Sequence, residues 1–134
     1  MPDAIKITPA LLFSGQAEEA IAFYMQLFPG SRVEFMQLYA PEFPGGPEGK
    51  VAFAQISLVG HSLVAMDSGV EQPFEFTPAI SFFVELTSEE EIDRTFGMLA
   101  EGGEILMPLE KYPFAERYAW VQDRYGVSWQ LSLA

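Results

Sequence analysis

The strongest constraint on this chain is an order of segment types that occurs twice: strand, helix, then three strands. In the first half, Ile5 to Phe13 reads as a strand interrupted by Pro9. Gln16 to Phe28 carries Ala17, Ala20, Ile21, Tyr24, Leu27 and Phe28 at helical spacing and is stopped by Pro29-Gly30. Ser31 to Tyr39, Val51 to Leu58 and Ser62 to Asp67 read as strands, the last two joined by a hairpin at Val59-Gly60-His61. Thr77-Pro78-Ala79 then restates Thr8-Pro9-Ala10, and the order begins again. Ala79 to Leu86 is expected as a strand, and Ser88 to Glu101 as a helix with Ser88 and Glu91 forming a capping box and Gly102-Gly103 ending it. Glu104 to Leu109, Tyr118 to Gln122 and Val127 to Leu133 complete the set. The expected fold is α+β, one domain over residues 1–134 built from two βαβββ modules, 5–67 and 77–134. A module that cannot bury its own sheet must pack against a second, within the chain or across a dimer.

Composition removes several functional classes. With 134 residues, 49% of them hydrophobic, the chain can bury a real core as one domain. No cysteine is present, which excludes disulfides, thiolate metal sites and a thiol nucleophile. A net charge of −12 argues against nucleic acid or an anionic membrane surface as partner. No signal-peptide pattern or apolar run of about 20 residues occurs, so a cytoplasmic location is expected.

The C-terminal stretch Tyr118 to Leu133 is a two-faced hairpin around the turn Asp123-Arg124-Tyr125-Gly126. In its last strand Trp129, Leu131 and Leu133 alternate with Ser128, Gln130 and Ser132, giving one apolar face and one of hydroxyls and amides. Other features have structural explanations. Glu89-Glu90-Glu91 complements the N-terminal dipole of the second helix. Pro41 to Gly49 is too rich in proline and glutamate to cradle phosphate, and too rich in proline and glycine for regular structure.

The duplicated βαβββ order resembles the vicinal oxygen chelate superfamily of glyoxalases, extradiol dioxygenases and bleomycin-resistance proteins. Within it, ITPALLFSGQAEEAIAFYMQLFPGSRV (Ile7 to Val33), FTPAISFFVE (Phe76 to Glu85) and YPFAERYAWVQDRYGVSWQLSL (Tyr112 to Leu133) are similar to the PhnB-like subfamily, often labelled a 3-demethylubiquinone-9 3-methyltransferase domain. The resemblance implies curled mixed sheets forming cups, a homodimer, and, in metal-using members, His, Glu or Gln ligands from the first and last strand of each module. At those positions this chain has Thr8-Pro9-Ala10, the vicinity of Ala65 with Asp67 the nearest carboxylate, Ala79-Ile80, and Gln130. One amide cannot hold a divalent cation against water, so no metal cofactor is expected; the weak alternative ligand set is Asp67, Gln130 and His61.

Alternation assigns the cup face. Phe53, Gln55 and Ser57 share one face, as do Ala79, Ser81, Phe83 and Glu85, with Ile80, Phe82, Val84 and Leu86 turned to the helix. Tyr118, Trp120 and Gln122 oppose Ala119 and Val121. His61 shares a phase with Leu63, Ala65 and Asp67, toward the cup rim, and is read as a solvent-facing turn residue. The candidate ligand-binding residues are Phe53, Gln55, Asp67, Ser81, Phe83, Tyr118, Trp120, Gln122 and Gln130. They form a polar, almost uncharged surface with aromatic walls, suited to a small neutral organic molecule. A second reading has them filling the cup and building a dimer contact. Asp67 and Glu85 are candidate bases, and Arg117 and Arg124 candidate anion-orienting groups.

Two functions follow as expectations: a binding protein without a catalytic metal, or a metal-dependent lyase, isomerase or dioxygenase with an altered ligand set. A methyltransferase is the least supported, because no glycine-rich nucleotide loop joins a strand to a helix.

Overall fold

A computed structural model describes residues 4–134 of the chain. They fall into two compact units, residues 4–72 and 73–134.

The first unit runs β1 (Ala10–Phe13), α1 (Ala17–Leu27), β2 (Arg32–Leu38), β3 (Val51–Leu58) and β4 (His61–Asp67). Its strands form a mixed sheet in the order β1-β4-β3-β2, with β1 parallel to β4 and the remaining pairs antiparallel. β1 is shorter than the expected Ile5 to Phe13 because Pro9 has no N–H to offer a ladder. Its carbonyl still accepts from the Val64 amide at 2.9 Å, while Ile5 and Ile7 stand 93% and 90% exposed.

Helix α1 buries Ala17, Ala20, Ile21, Tyr24 and Leu27. The sheet meets it with Ala54 and Ile56 of β3 and, opposite them, Ala65 and Leu63 of β4, all at most 2% exposed. This pairing corrects the expected phase of β4. Leu63, Ala65 and Asp67 lie on the helix side, and Ser62, Val64 and Met66 lie on the open face beside Ser57 and Gln55. Asp67 is therefore not a cup-face residue. Its side chain, 2% exposed, ties down the start of α1: Oδ1 accepts from the Gly15 and Ala17 amides at 2.8 and 2.9 Å, and Oδ2 from the Val51 amide at 3.0 Å. Gln16 at the helix N-cap makes no side-chain capping bond, so the cap comes from another strand.

The β3–β4 connection is tighter than Val59-Gly60-His61. Leu58 pairs with His61, leaving Val59 and Gly60 as a two-residue turn with φ of 48° and 89°. His61 opens β4 and is exposed. The Pro/Gly-rich loop after β2 is irregular as expected but closely packed. A Cβ on Gly46 would lie 2.5 Å from the Tyr39 ring, and one on Gly69 would lie 1.9 Å from the Gly45 carbonyl oxygen. Tyr39 in turn donates its hydroxyl to the Asp67 carbonyl at 3.0 Å.

The second unit runs β5 (Phe82–Leu86), α2 (Glu89–Ala100), β6 (Glu104–Tyr112), β7 (Ala115–Gln122) and β8 (Ser128–Leu133). Its sheet has the order β5-β8-β7-β6, again with the first strand parallel to the last. The Thr-Pro-Ala repetition does not mark equivalent positions: Ala10 opens β1, whereas Ala79 and Ile80 sit in a turn before β5. Ile80 is 81% exposed rather than turned to the helix. β6 and β7 extend past their expected bounds to a tip where Tyr112 pairs with Ala115, with register shifts along the way.

Helix α2 buries Ile92, Thr95 and Leu99. Ser88 caps it, accepting from the Glu91 amide at 3.2 Å, and the Glu91 carboxylate reaches back one residue further than a standard box, to the Thr87 amide at 2.8 Å and the Thr87 hydroxyl at 2.9 Å. On this side of the sheet Phe82 packs on Trp129, ring centroids 4.9 Å apart, and Ala119, Val121 and Leu131 are buried. Arg117 is also here, ion-paired with Asp93 of α2, so it does not orient a ligand on the open face.

Candidate functional site

The second unit's open face is set by register, because cross-strand partners share a face. Phe83 of β5 stands beside Gln130 of β8, which stands beside Trp120 of β7, which stands beside Met107 of β6. This row is aromatic, amide, aromatic, thioether. Toward the C-terminal end of β5 the next row holds Glu85, Ser132, Tyr118 and Glu110, and toward its start Ser128 pairs with Gln122. Phe83 is 57% exposed, and Trp120, Gln122 and Gln130 are half-buried.

Hydrogen bonds lock these side chains. The Trp120 indole N–H donates to Ser128 Oγ at 2.9 Å, and Ser81 Oγ lies 2.7 Å from the same hydroxyl. Gln122 Nε2 donates to the Gly126 carbonyl at 2.8 Å. The Tyr118 hydroxyl donates to Gln130 Oε1 at 2.5 Å. Tyr118 is buried because the β6–β7 tip folds over it: Tyr112 and Phe114 meet its ring edge-on at 5.5 and 4.9 Å and stack on each other at 5.5 Å. Burial pushes the Tyr118 phenol above its ordinary value, with Tyr112 adding to the rise. Tyr118 is thus a protonated donor at neutral pH.

Behind the face stands a second buried carboxylate. Asp123 Oδ1 accepts from the Tyr125 and Val127 amides at 2.9 and 3.1 Å, and Oδ2 accepts from Trp129 Nε1 at 2.9 Å. It fixes the β7–β8 turn, and so the register that sets Gln130 beside Trp120. Gly126 completes that turn with φ of 94°.

Of the expected candidates, Ser81, Phe83, Tyr118, Trp120, Gln122 and Gln130 come together on this face. Phe53 and Gln55 lie on the first unit's open face, with Phe35 beside Gln55 and 6.3 Å from the Phe53 ring. Asp67 lies on neither open face. Ser128, Met107, Phe35 and the covering pair Tyr112 and Phe114 were not among the candidates. Ser128 is legible from the alternation of β8; Met107, Phe35 and Tyr112 depend on shifted registers in edge strands, and Phe114 lies in the β6–β7 turn.

The altered metal-ligand set does not fit the geometry. Both Asp67 oxygens are engaged by backbone amides on the helix side, Gln130 Oε1 accepts from Tyr118, and His61 is exposed at a turn. Ala79, expected on the fifth strand, precedes it, and the residue beside Gln130 is Phe83. Among the described residues no three His, Asp or Glu side chains gather where they could hold a metal ion. No helix among them is long and apolar enough to cross a membrane.

A family model described as 3-demethylubiquinone-9 3-methyltransferase matches residues 5–132. A solved Bacillus cereus structure, described as a putative 3-demethylubiquinone-9 3-methyltransferase, PhnB protein, is 48% identical over 97% of this chain and 100% of that one, with a TM-score of 0.92. Protein YjdN of Escherichia coli K12 is 27% identical, covering 95% of this chain and 94% of its own. At the level of fold alone, a glyoxylase/bleomycin resistance protein/dioxygenase domain from Frankia is similar with a TM-score of 0.65 at 15% identity, over 98% of this chain and 93% of that one.

Proposed function

We propose a function from one premise: the chain belongs to the PhnB-like family of the vicinal oxygen chelate superfamily, whose family model carries the 3-demethylubiquinone-9 3-methyltransferase description. Within that family this protein binds a small, neutral, planar organic molecule on the open face of its second sheet, without a catalytic metal, as a homodimer. The observation that carries the reading is the Tyr118–Gln130 hydrogen bond. It ties Gln130 Oε1 to a neutral phenol, with no carboxylate or imidazole beside it in the row, and leaves Gln130 between two aromatic side chains. Aromatic walls with a few fixed polar atoms are the composition of small-molecule sites.

A methyltransferase reading lacks a place for its nucleotide cofactor. The strand-to-helix connections are Ser14-Gly15-Gln16 and Thr87-Ser88, one glycine between them, with no loop that cradles a nucleotide. Binding of S-adenosylmethionine at micromolar affinity in calorimetry would overturn this point.

The test of the main reading is metal content and ligand response together. Protein purified without chelator or affinity-tag metal is assayed for Fe, Mn, Ni and Zn and melted with each ion added. Well under one equivalent and an unchanged melting temperature are expected. One bound equivalent that disappears in Gln130→Ala would reverse the reading. Light scattering at twice the chain mass checks the dimer.

A further inference from the structure

We infer that the ligand is held by a hydrogen-bond acceptor, such as a carbonyl oxygen or an aromatic ring nitrogen, received by Gln130 Nε2 between Phe83 and Trp120. The inference rests on the proposed small-molecule site and adds the polarity of its recognition. It follows from which atoms on the row are engaged. The Tyr118 hydroxyl donates to Gln130 Oε1, which leaves the NH2 group of the amide turned away from Tyr118. Among the described residues that nitrogen has no hydrogen-bond partner, and it is not sealed from solvent, since Arg117 Nε alone is buried there without one. The neighbouring Trp120 N–H already donates to Ser128, so Trp120 offers a ring rather than a donor.

The spacing suits a flat group. Phe83 and Trp120 flank Gln130 on adjacent strands, which puts their backbones about 10 Å apart, twice the usual strand separation. A planar ring in contact with both flanking side chains needs about 7–8 Å, twice the carbon–carbon contact distance. A flat group seated over Gln130 would therefore have one of these rings on each side, its edge directed at the amide.

Two soluble bicyclic probes, neutral at pH 7.5, separate the possibilities: quinoline, whose ring nitrogen accepts, and indole, whose N–H donates. Each is titrated into isotope-labelled full-length protein while the Trp120 indole and Gln130 side-chain amide resonances are followed, the latter assigned by its loss in Gln130→Leu. Quinoline is expected to bind about fivefold more tightly than indole, the ratio one hydrogen bond supplies, and to move the Gln130 amide resonance downfield. Gln130→Leu should erase the preference, and Gln130→Glu should reverse it toward indole by presenting a carboxylate oxygen. Equal affinities in the wild type, with both lost in Phe83→Ala, would overturn the acceptor rule and leave the binding face standing. If neither probe moves the Trp120 resonance up to its solubility limit, the binding face itself is wrong and the inference falls with it.

Discussion

The Ala17 amide donates to Asp67 Oδ1 at 2.9 Å across 50 residues of sequence, so the first helix is capped by the last strand of its own unit. The same carboxylate holds Gly15 and Val51, which makes one side chain the joint between β4, α1 and the start of β3. Replacing it with Asn would turn an NH2 group toward a backbone N–H, and replacing it with Ala would leave three amides without their acceptor. Both variants are expected to lose about 3 kcal/mol or more in urea unfolding, since bonds to charged groups are worth about 1.5–3 kcal/mol each. Unchanged stability in Asp67→Ala would contradict the capping role.

Val59 offers the opposite opportunity. It occupies the left-handed region at φ 48° with a β-branched side chain, in the first position of a two-residue turn whose second is Gly60. Asn or Gly is the natural occupant. Val59→Asn should raise stability by about 1 kcal/mol, the low end of the cost of a strained backbone site, read as a higher urea midpoint with unchanged slope.

Tyr118 carries a phenol whose pKa is raised from 10.0 by burial and by Tyr112. A raised phenol stabilises the folded state fully below the unfolded value, and that contribution is lost as pH rises through the folded value. A phenolate absorbance titration of the native protein should therefore show a late-ionising group that disappears in Tyr118→Phe. The variant should lose less stability than the wild type as pH is raised above about 10.

The cap of the second helix can be dissected by pH. Hydrogen bonds from the Thr87 amide and hydroxyl lower the Glu91 pKa from 4.5. A depressed carboxyl contributes stability above the unfolded value, lost as pH falls through the folded one. Glu91→Gln should flatten the acid limb of the stability profile below about pH 4.5. Ser88→Ala should cost about 1 kcal/mol at neutral pH. An unaltered acid limb in Glu91→Gln would show that Thr87 does not hold the carboxylate in solution.

The two modules' element order, both helices and the facing of the central strands follow from local sequence. Tyr118, Trp120 and Gln122 alternate cleanly with the buried Ala119 and Val121, and period-2 patterning is unambiguous where one face is polar. Helical spacing from Ala17 to Leu27 is equally direct. β4 is different: Leu63 and Ala65 alternate with Val64 and Met66, apolar on both faces, so its own residues do not say which side meets the helix. Only the pairing of Leu63 with Ile56 and Ala65 with Ala54 decides it, and that pairing moved Asp67 from a candidate ligand contact to a helix cap. The same holds for Gln130. Its place on the polar face of β8 is legible in the chain, but a side-chain amide has both an acceptor and a donor. Which of them remains available depends on Tyr118, a residue brought to it across the sheet.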